Sequence, residues 1–142
     1  MIKSNDSGLI RKYPLLHTVI KGEGRYSITG IISYTTDGIV VQLCGGEKPH
    51  IGTVVLSQPR PSLANDENTS ATTSILNLLN HKDDIAAKPV AEMLAKTLNQ
   101  VVVVTAGIHV DNAAEHDIEI LQSNIQQVAD ELLKWASSVN KA

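Results

Sequence analysis

Cys44-Gly45-Gly46-Glu47-Lys48-Pro49-His50-Ile51-Gly52 is a polar, glycine-bracketed stretch flanked by two apolar runs, Ile39 to Leu43 and Ile51 to Leu56. Short runs rich in Val, Ile and Leu and bounded by turn residues read as strands, so the chain enters and leaves this stretch extended. A sheet, rather than a helix bundle, is implied. Gly45, Gly46 and Gly52 allow backbone angles and close approaches that a Cβ would forbid, and Pro49 stiffens the middle. Lys48 and His50 place a cation and a titratable ring beside backbone N–H groups, a combination suited to a phosphate or a polar heterocycle. A plain connection has the same composition, so the loop alone does not decide between the two.

Upstream, Leu15 to Gly22 reads as a strand, Gly22-Glu23-Gly24 as a turn, and Arg25 to Tyr34 as a second strand with Tyr26, Ile28, Gly30, Ile32 and Tyr34 on one face. Thr36-Asp37-Gly38 turns the chain back into Ile39 to Leu43, giving a meander. Residues Met1 to Lys12 show no period and are expected as a loose arm. Downstream, Pro59 and Pro61 are expected to end the fourth strand. Ser62 to Thr73 reads as an irregular segment, and Ser70, Thr72 and Thr73 as the capped start of a short helix carrying Ile75, Leu76, Leu78 and Leu79 and stopped at Asn80. Asp83 or Asp84 can cap a second helix to about Asn99, with Pro89 imposing a kink or a start near Lys88. The uniformly β-branched Val101 to Val104 suits a central strand covered on both faces.

Ile118, Leu121, Ile125, Val128, Leu132, Trp135 and Val139 form one stripe on a last helix of nearly 30 residues, roughly 40 Å long, that either contacts a second subunit or packs across the sheet. The expected class is α+β: a largely antiparallel sheet with helices packed on one face and a long C-terminal helix, in a single domain over 1–142. Two helices cover only one of two apolar sheet faces, so a second copy, making a homodimer, is expected on the other.

Twelve basic residues against 15 acidic ones, with no basic block, exclude the electrostatic footprint of a nucleic-acid binder. A single cysteine, Cys44, precludes an intrachain disulfide framework, and no leader or apolar run of membrane-spanning length appears, so a cytoplasmic protein is expected. Cys44 reads as a structural residue rather than a nucleophile, and no catalytic set is recognisable. His50, His81 and His109 each lie at an element end and could converge at one rim of the sheet. Their spacing matches no zinc signature, and no metal site is expected. His17 and His116 read as surface or edge positions.

Gly38-Ile39-Val40-Val41-Gln42-Leu43, Gly45 to Gly52, Pro59-Arg60-Pro61-Ser62, Ser70-Ala71-Thr72-Thr73-Ser74, Asn80-His81-Lys82-Asp83-Asp84 and Gly107-Ile108-His109-Val110-Asp111 together resemble the prenylated-flavin chaperone-like family, which includes the small D subunit of gallate decarboxylase. Asn80 stands where that family is expected to have glycine. The resemblance implies a fold similar to the proteasome assembly chaperones. It also implies a non-catalytic dimer that binds or delivers prenylated FMN or FMN to a prenylated-flavin-dependent aromatic-acid decarboxylase. An assembly module that docks on a larger enzyme without a cofactor is the alternative. Cofactor-binding residues carried over are Gly45, Gly46, Glu47, Lys48, His50, Arg60, Ser70, Thr72, Thr73, His81, Lys82, Asp83 and His109. The flavin phosphate is expected where the loop Gly45 to Gly52 faces the helix start at Thr72 to Ser74, with Arg60 closing the far side.

Overall fold

The computed structural model describes residues 3–4 and 10–140, with side chains from residue 12 onward. Of the expected loose arm, β1 (Lys3–Ser4) and β2 (Ile10–Arg11) pair antiparallel, and the rest of it up to residue 9 lies outside the described residues.

Six strands form one open sheet: β3 (Leu15–Lys21), β4 (Ile28–Tyr34), β5 (Ile39–Gly46), β6 (Thr53–Pro61), β7 (Thr69–Asn77) and β8 (Val102–His109), in the order β3-β4-β5-β8-β6-β7. All neighbours are antiparallel except β5 and β8. That parallel pair exists because the chain between its strands passes through β6, β7 and α1 (Asp84–Leu98) before inserting β8 beside β5. Helix α2 (Glu115–Asn140) then crosses β3 and β4.

Registers put Ile28, Ile32, Val41, Leu43, Val55 and Val104 on one face, all fully buried beneath the two helices. The expected alternation in β4 holds from Ile28 to Tyr34, whereas Gly24–Tyr26 is a turn of 3₁₀ helix rather than strand. Leu121, Val128 and Leu132 of the C-terminal stripe are buried, so that stripe packs across the sheet. His17, expected at a surface or edge position, lies on the edge strand β3, where it is half-buried and stacks on Trp135 with ring centroids 4.9 Å apart.

Two expectations are corrected and, of the two alternatives at Pro89, the start near Lys88 is excluded. The short helix after Ser70 does not form: Thr69–Asn77 is strand β7, paired along its whole length with β6. An eight- or nine-residue helix has little stability of its own, whereas the Thr-rich run suits a pleated surface, with Thr73 and Ile75 facing inward. Pro59 and Pro61 lie within β6, tolerated because pairing with β8 stops at Ser57↔Val102 and leaves β6 one neighbour there. Helix α1 begins at Asp84 and runs through Pro89, which is therefore interior. Asn80 does take the left-handed conformation anticipated for it, at φ 63°.

The opposite face of the sheet carries no helix, and there Leu16 is 68%, Ile20 61% and Leu76 72% exposed, with Ile31 and Val40 also exposed. Among the described residues, helices thus cover only one face of the central strands. Among the described residues no helix is long and apolar enough to cross a membrane.

Gly30 is the contact point for α2: a Cβ there would lie 2.5 Å from Val128 Cγ1 and 2.9 Å from Leu132 Cδ1. Gly30→Ala should therefore lift α2 from β4 and destabilise the fold by about 1–3 kcal/mol, read as a lower urea midpoint. An unchanged midpoint would show that the helix does not depend on this close approach.

Candidate functional site

The loop singled out from sequence sits at the carboxyl rim of the parallel pair. Cys44 to Gly46 belong to β5, and the connection proper is Glu47 to Gly52. Because β8 occupies the position beside β5, this connection must step over the end of β8 to reach β6. Its backbone is fastened there: Glu47 N donates to His109 O (2.7 Å), His50 N to Gly107 O (3.3 Å) and Gly52 N to Ala106 O (2.8 Å). Gly46 makes the turn at φ +78°, where any Cβ would also collide with the His109 backbone.

Asp83, immediately before α1, does not cap its own helix with its side chain. Instead Oδ1 accepts from Ile108 N (3.0 Å), and Oδ2 lies 3.0 Å from His50 Nε2 and 3.6 Å from His81 Nδ1. The two ring nitrogens are 3.2 Å apart. Gly52 makes room for this: a Cβ there would overlap the Asp83 carboxylate. His50 and His81, with Lys48 and His109, line a cleft of about 300 Å³. The three histidines read as element-end residues thus meet at one rim.

A second group lies beside them. Asp111 Oδ1 is 2.9 Å from His109 Nε2 and 3.5 Å from Lys48 Nζ, and the hydrogen bond from His109, followed by the Lys48 charge, holds the Asp111 carboxyl below its ordinary range. Glu47 Oε1 accepts from Asp111 N (3.1 Å) and stands 3.7 Å from Arg25 Nε. Arg25 and Asp111 were not among the expected site residues, although Asp111 closes one of the quoted motifs. Lys48 is therefore a paired charge at the surface rather than a free one.

Lys82 differs: its side chain makes no ion pair or hydrogen bond with any described residue. It stands with Asp83 on the wall of a largely apolar cleft of about 350 Å³ between α1 and α2, floored by Pro89, Val90, Met93, Ile108 and Ile125. Gln122 and Gln126 add amides to the same wall. The two helix stripes hinted at these residues singly, but only the crossing of α1 and α2 makes a cavity of them.

Arg60, Ser70, Thr72 and Thr73 are elsewhere. Arg60 is seven residues along β6 from Thr53, about 23 Å from the rim at the usual strand rise. Its Nε donates to Thr72 Oγ1 (2.8 Å), across the ladder from Ser70. Thr73 Oγ1 donates to Glu92 Oε1 (3.1 Å) and meets Ser57 Oγ (3.1 Å) on the buried face. The expected anion site between the glycine loop and a helix start at Thr72 to Ser74 is thus corrected twice over: no helix starts there, and the two groups occupy different ends of the sheet. Cys44 is half-buried, and burial pushes its thiol up, away from nucleophile character.

No curated protein matches the chain in sequence. Among solved structures it resembles a chain from a yeast chaperone complex for 20S proteasome assembly, at a TM-score of 0.53 and 16% identity, covering 87% of this chain and 97% of that one. That likeness concerns the fold, an open sheet backed by helices. The model of the prenylated flavin chaperone LpdD-like domain matches residues 22–137, which include both rim groups, the cleft and every strand of the large sheet except β3, and the chain belongs to that family.

Proposed function

We propose that this chain is a cytoplasmic, non-catalytic accessory protein that acts as a homodimer, holds prenylated FMN or FMN, and hands it to a partner decarboxylase of the prenylated-flavin class. Family membership makes the role chaperone-type. The observation that carries the flavin reading is the apolar cleft between α1 and α2 with the unpaired cation Lys82 at its wall. A flavin mononucleotide is an amphiphile, with a flat heterocycle at one end and a phosphate at the other. The cleft offers apolar walls for the ring and any prenyl addition, and the Gln122 and Gln126 amides for its polar edge. Lys82 offers positive charge for the phosphate. A cleft of about 350 Å³ falls within the range of small-molecule sites. Arg60, Ser70, Thr72 and Thr73 take no part in this arrangement. Arg60, Ser70 and Thr72 stand on a separate surface open to a partner protein, and Thr73 points to the buried face.

Homodimer formation is supported by the helix-free sheet face with its exposed Leu16, Ile20, Ile31, Val40 and Leu76. Exposed apolar side chains gathered on such a face mark a protein contact. The rival reading, an assembly module without cofactor, draws on the same face, and ligand binding separates the two.

Charge-assisted contacts contribute roughly 1.5–3 kcal/mol, so Lys82→Met should weaken FMN binding about tenfold or more in calorimetry while leaving riboflavin unaffected. Lys48→Met, whose charge is already shared with Asp111, should cost less. Equal FMN affinity in the parent and Lys82→Met, with the fold intact by circular dichroism, would remove the cleft as the flavin site. Light scattering at micromolar concentration should give twice the chain mass, and Leu16→Asp with Leu76→Asp should shift it toward the monomer. A monomeric parent would refute the shared sheet face.

A further inference from the structure

We infer that His50, His81 and Asp83 form a three-ligand site for a first-row divalent metal ion, with Zn²⁺ the best match. The inference is independent of flavin binding and goes beyond it. It starts from hydrogen-bond accounting. The Lys48 carbonyl, 2.8 Å from His50 Nδ1, can only accept, so that nitrogen carries the proton and a neutral His50 presents a lone pair at Nε2. Facing that lone pair are a carboxylate oxygen at 3.0 Å, which also has only lone pairs, and the His81 ring nitrogen at 3.2 Å. One proton can close one edge of this triangle. A cation at its centre closes all three.

The dimensions fit. The three donor atoms are 3.0, 3.2 and 3.6 Å apart. Ligands at the usual Zn–N and Zn–O distances of about 2.0–2.1 Å stand about 3.3–3.4 Å from one another in a tetrahedron. The site is also built around, as metal sites are. Lys48 O fixes the His50 ring, the Ile108 N–H holds Asp83 Oδ1 and leaves Oδ2 as a single ligand atom, and Gly52 keeps a Cβ out of the space the carboxylate fills. Partial burial, with the Asp83 side chain 10% exposed and His50 25%, leaves access from the cleft that Lys48 and His109 also line. Two imidazoles and one carboxylate are the donor set of a site that keeps a coordination position for an exogenous ligand. Sequence spacing missed it because His50 lies 31 residues from His81, and only the loop stepping over β8 brings the two together.

The test uses tag-free protein stripped with a chelator and then titrated with Co²⁺ alone, read by visible absorption, with Zn²⁺ added in competition. Binding at one ion per chain is expected, displaced by Zn²⁺. His81 is the ligand to remove first, because among the described residues its hydrogen bond, ion pair and ring contact are all with His50 and Asp83. His81→Ala should lose affinity by at least the roughly 10–100-fold seen for losing a metal site's outer partners. His116→Ala, an exposed control, should match the parent. If His81→Ala fails to fold, His50→Gln carries the same expectation. Absence of saturable one-to-one binding, or affinity unchanged by the ligand variant that folds, would overturn the site and leave Asp83 as a hydrogen-bond anchor only.

Discussion

The Asp83 carboxylate ties three parts of the chain that the sequence keeps apart. One oxygen receives the Ile108 N–H and so fixes the first turn of α1 to the end of β8; the other faces His50, on the connection that leaves β5. Both partners are held in turn, His50 by the Lys48 carbonyl and Ile108 by the pairing of β8 with β5. A buried charge is costly unless it is paired and hydrogen-bonded, so this arrangement is confined to a narrow geometry, and Gly52 is the residue that leaves space for it. The position of α1 over β6 and β8, and with it the cleft against α2, follows from where that helix is made to start.

From this junction the functional surfaces divide. On one side of Asp83 the apolar cleft opens between the helices; on the other lie the histidines, and beyond them the group in which Asp111 binds both Lys48 and His109. At the α2 side Asp117 plays a parallel part. Its carboxyl accepts from Tyr26 Oη and from Ala114 N, and these bonds hold it below the ordinary carboxylate range while raising the Tyr26 phenol. Both helix starts are thus pinned by acidic residues at the same rim, which suits a site that must stay in shape while ligand enters and leaves.

Much of this was legible in advance. Two-residue alternation in Ile28 to Tyr34, the β-branched run before Gly107 and the three-and-four stripe from Ile118 to Val139 each marked an element that formed where its pattern lay, although Ile118 itself is exposed. Thr69–Asn77 misled because its threonines with Ile75 and Leu76 satisfy a helical template as readily as a strand one, and long-range pairing with β6 decided the matter. That error carried Arg60 and Thr72 to the wrong end of the molecule, since the position of a strand residue along a sheet depends on register. His50, His81 and His109 were recognisable as element-end residues, but the 3.2 Å approach of His50 to His81 depends on a loop crossing a strand that is made later in the chain.

The proposed role is to carry a prenylated flavin to an enzyme. The most direct measurement is transfer: the protein is loaded with prenylated FMN, freed of excess ligand, and mixed with a cofactor-free decarboxylase of the prenylated-flavin class, and turnover of an aromatic acid is followed. The account predicts no turnover by the loaded protein alone, and faster or more complete activation of the decarboxylase than the same amount of free cofactor gives, with Lys82→Met deficient. Turnover by this chain itself, or activation no better than with free cofactor, would contradict it.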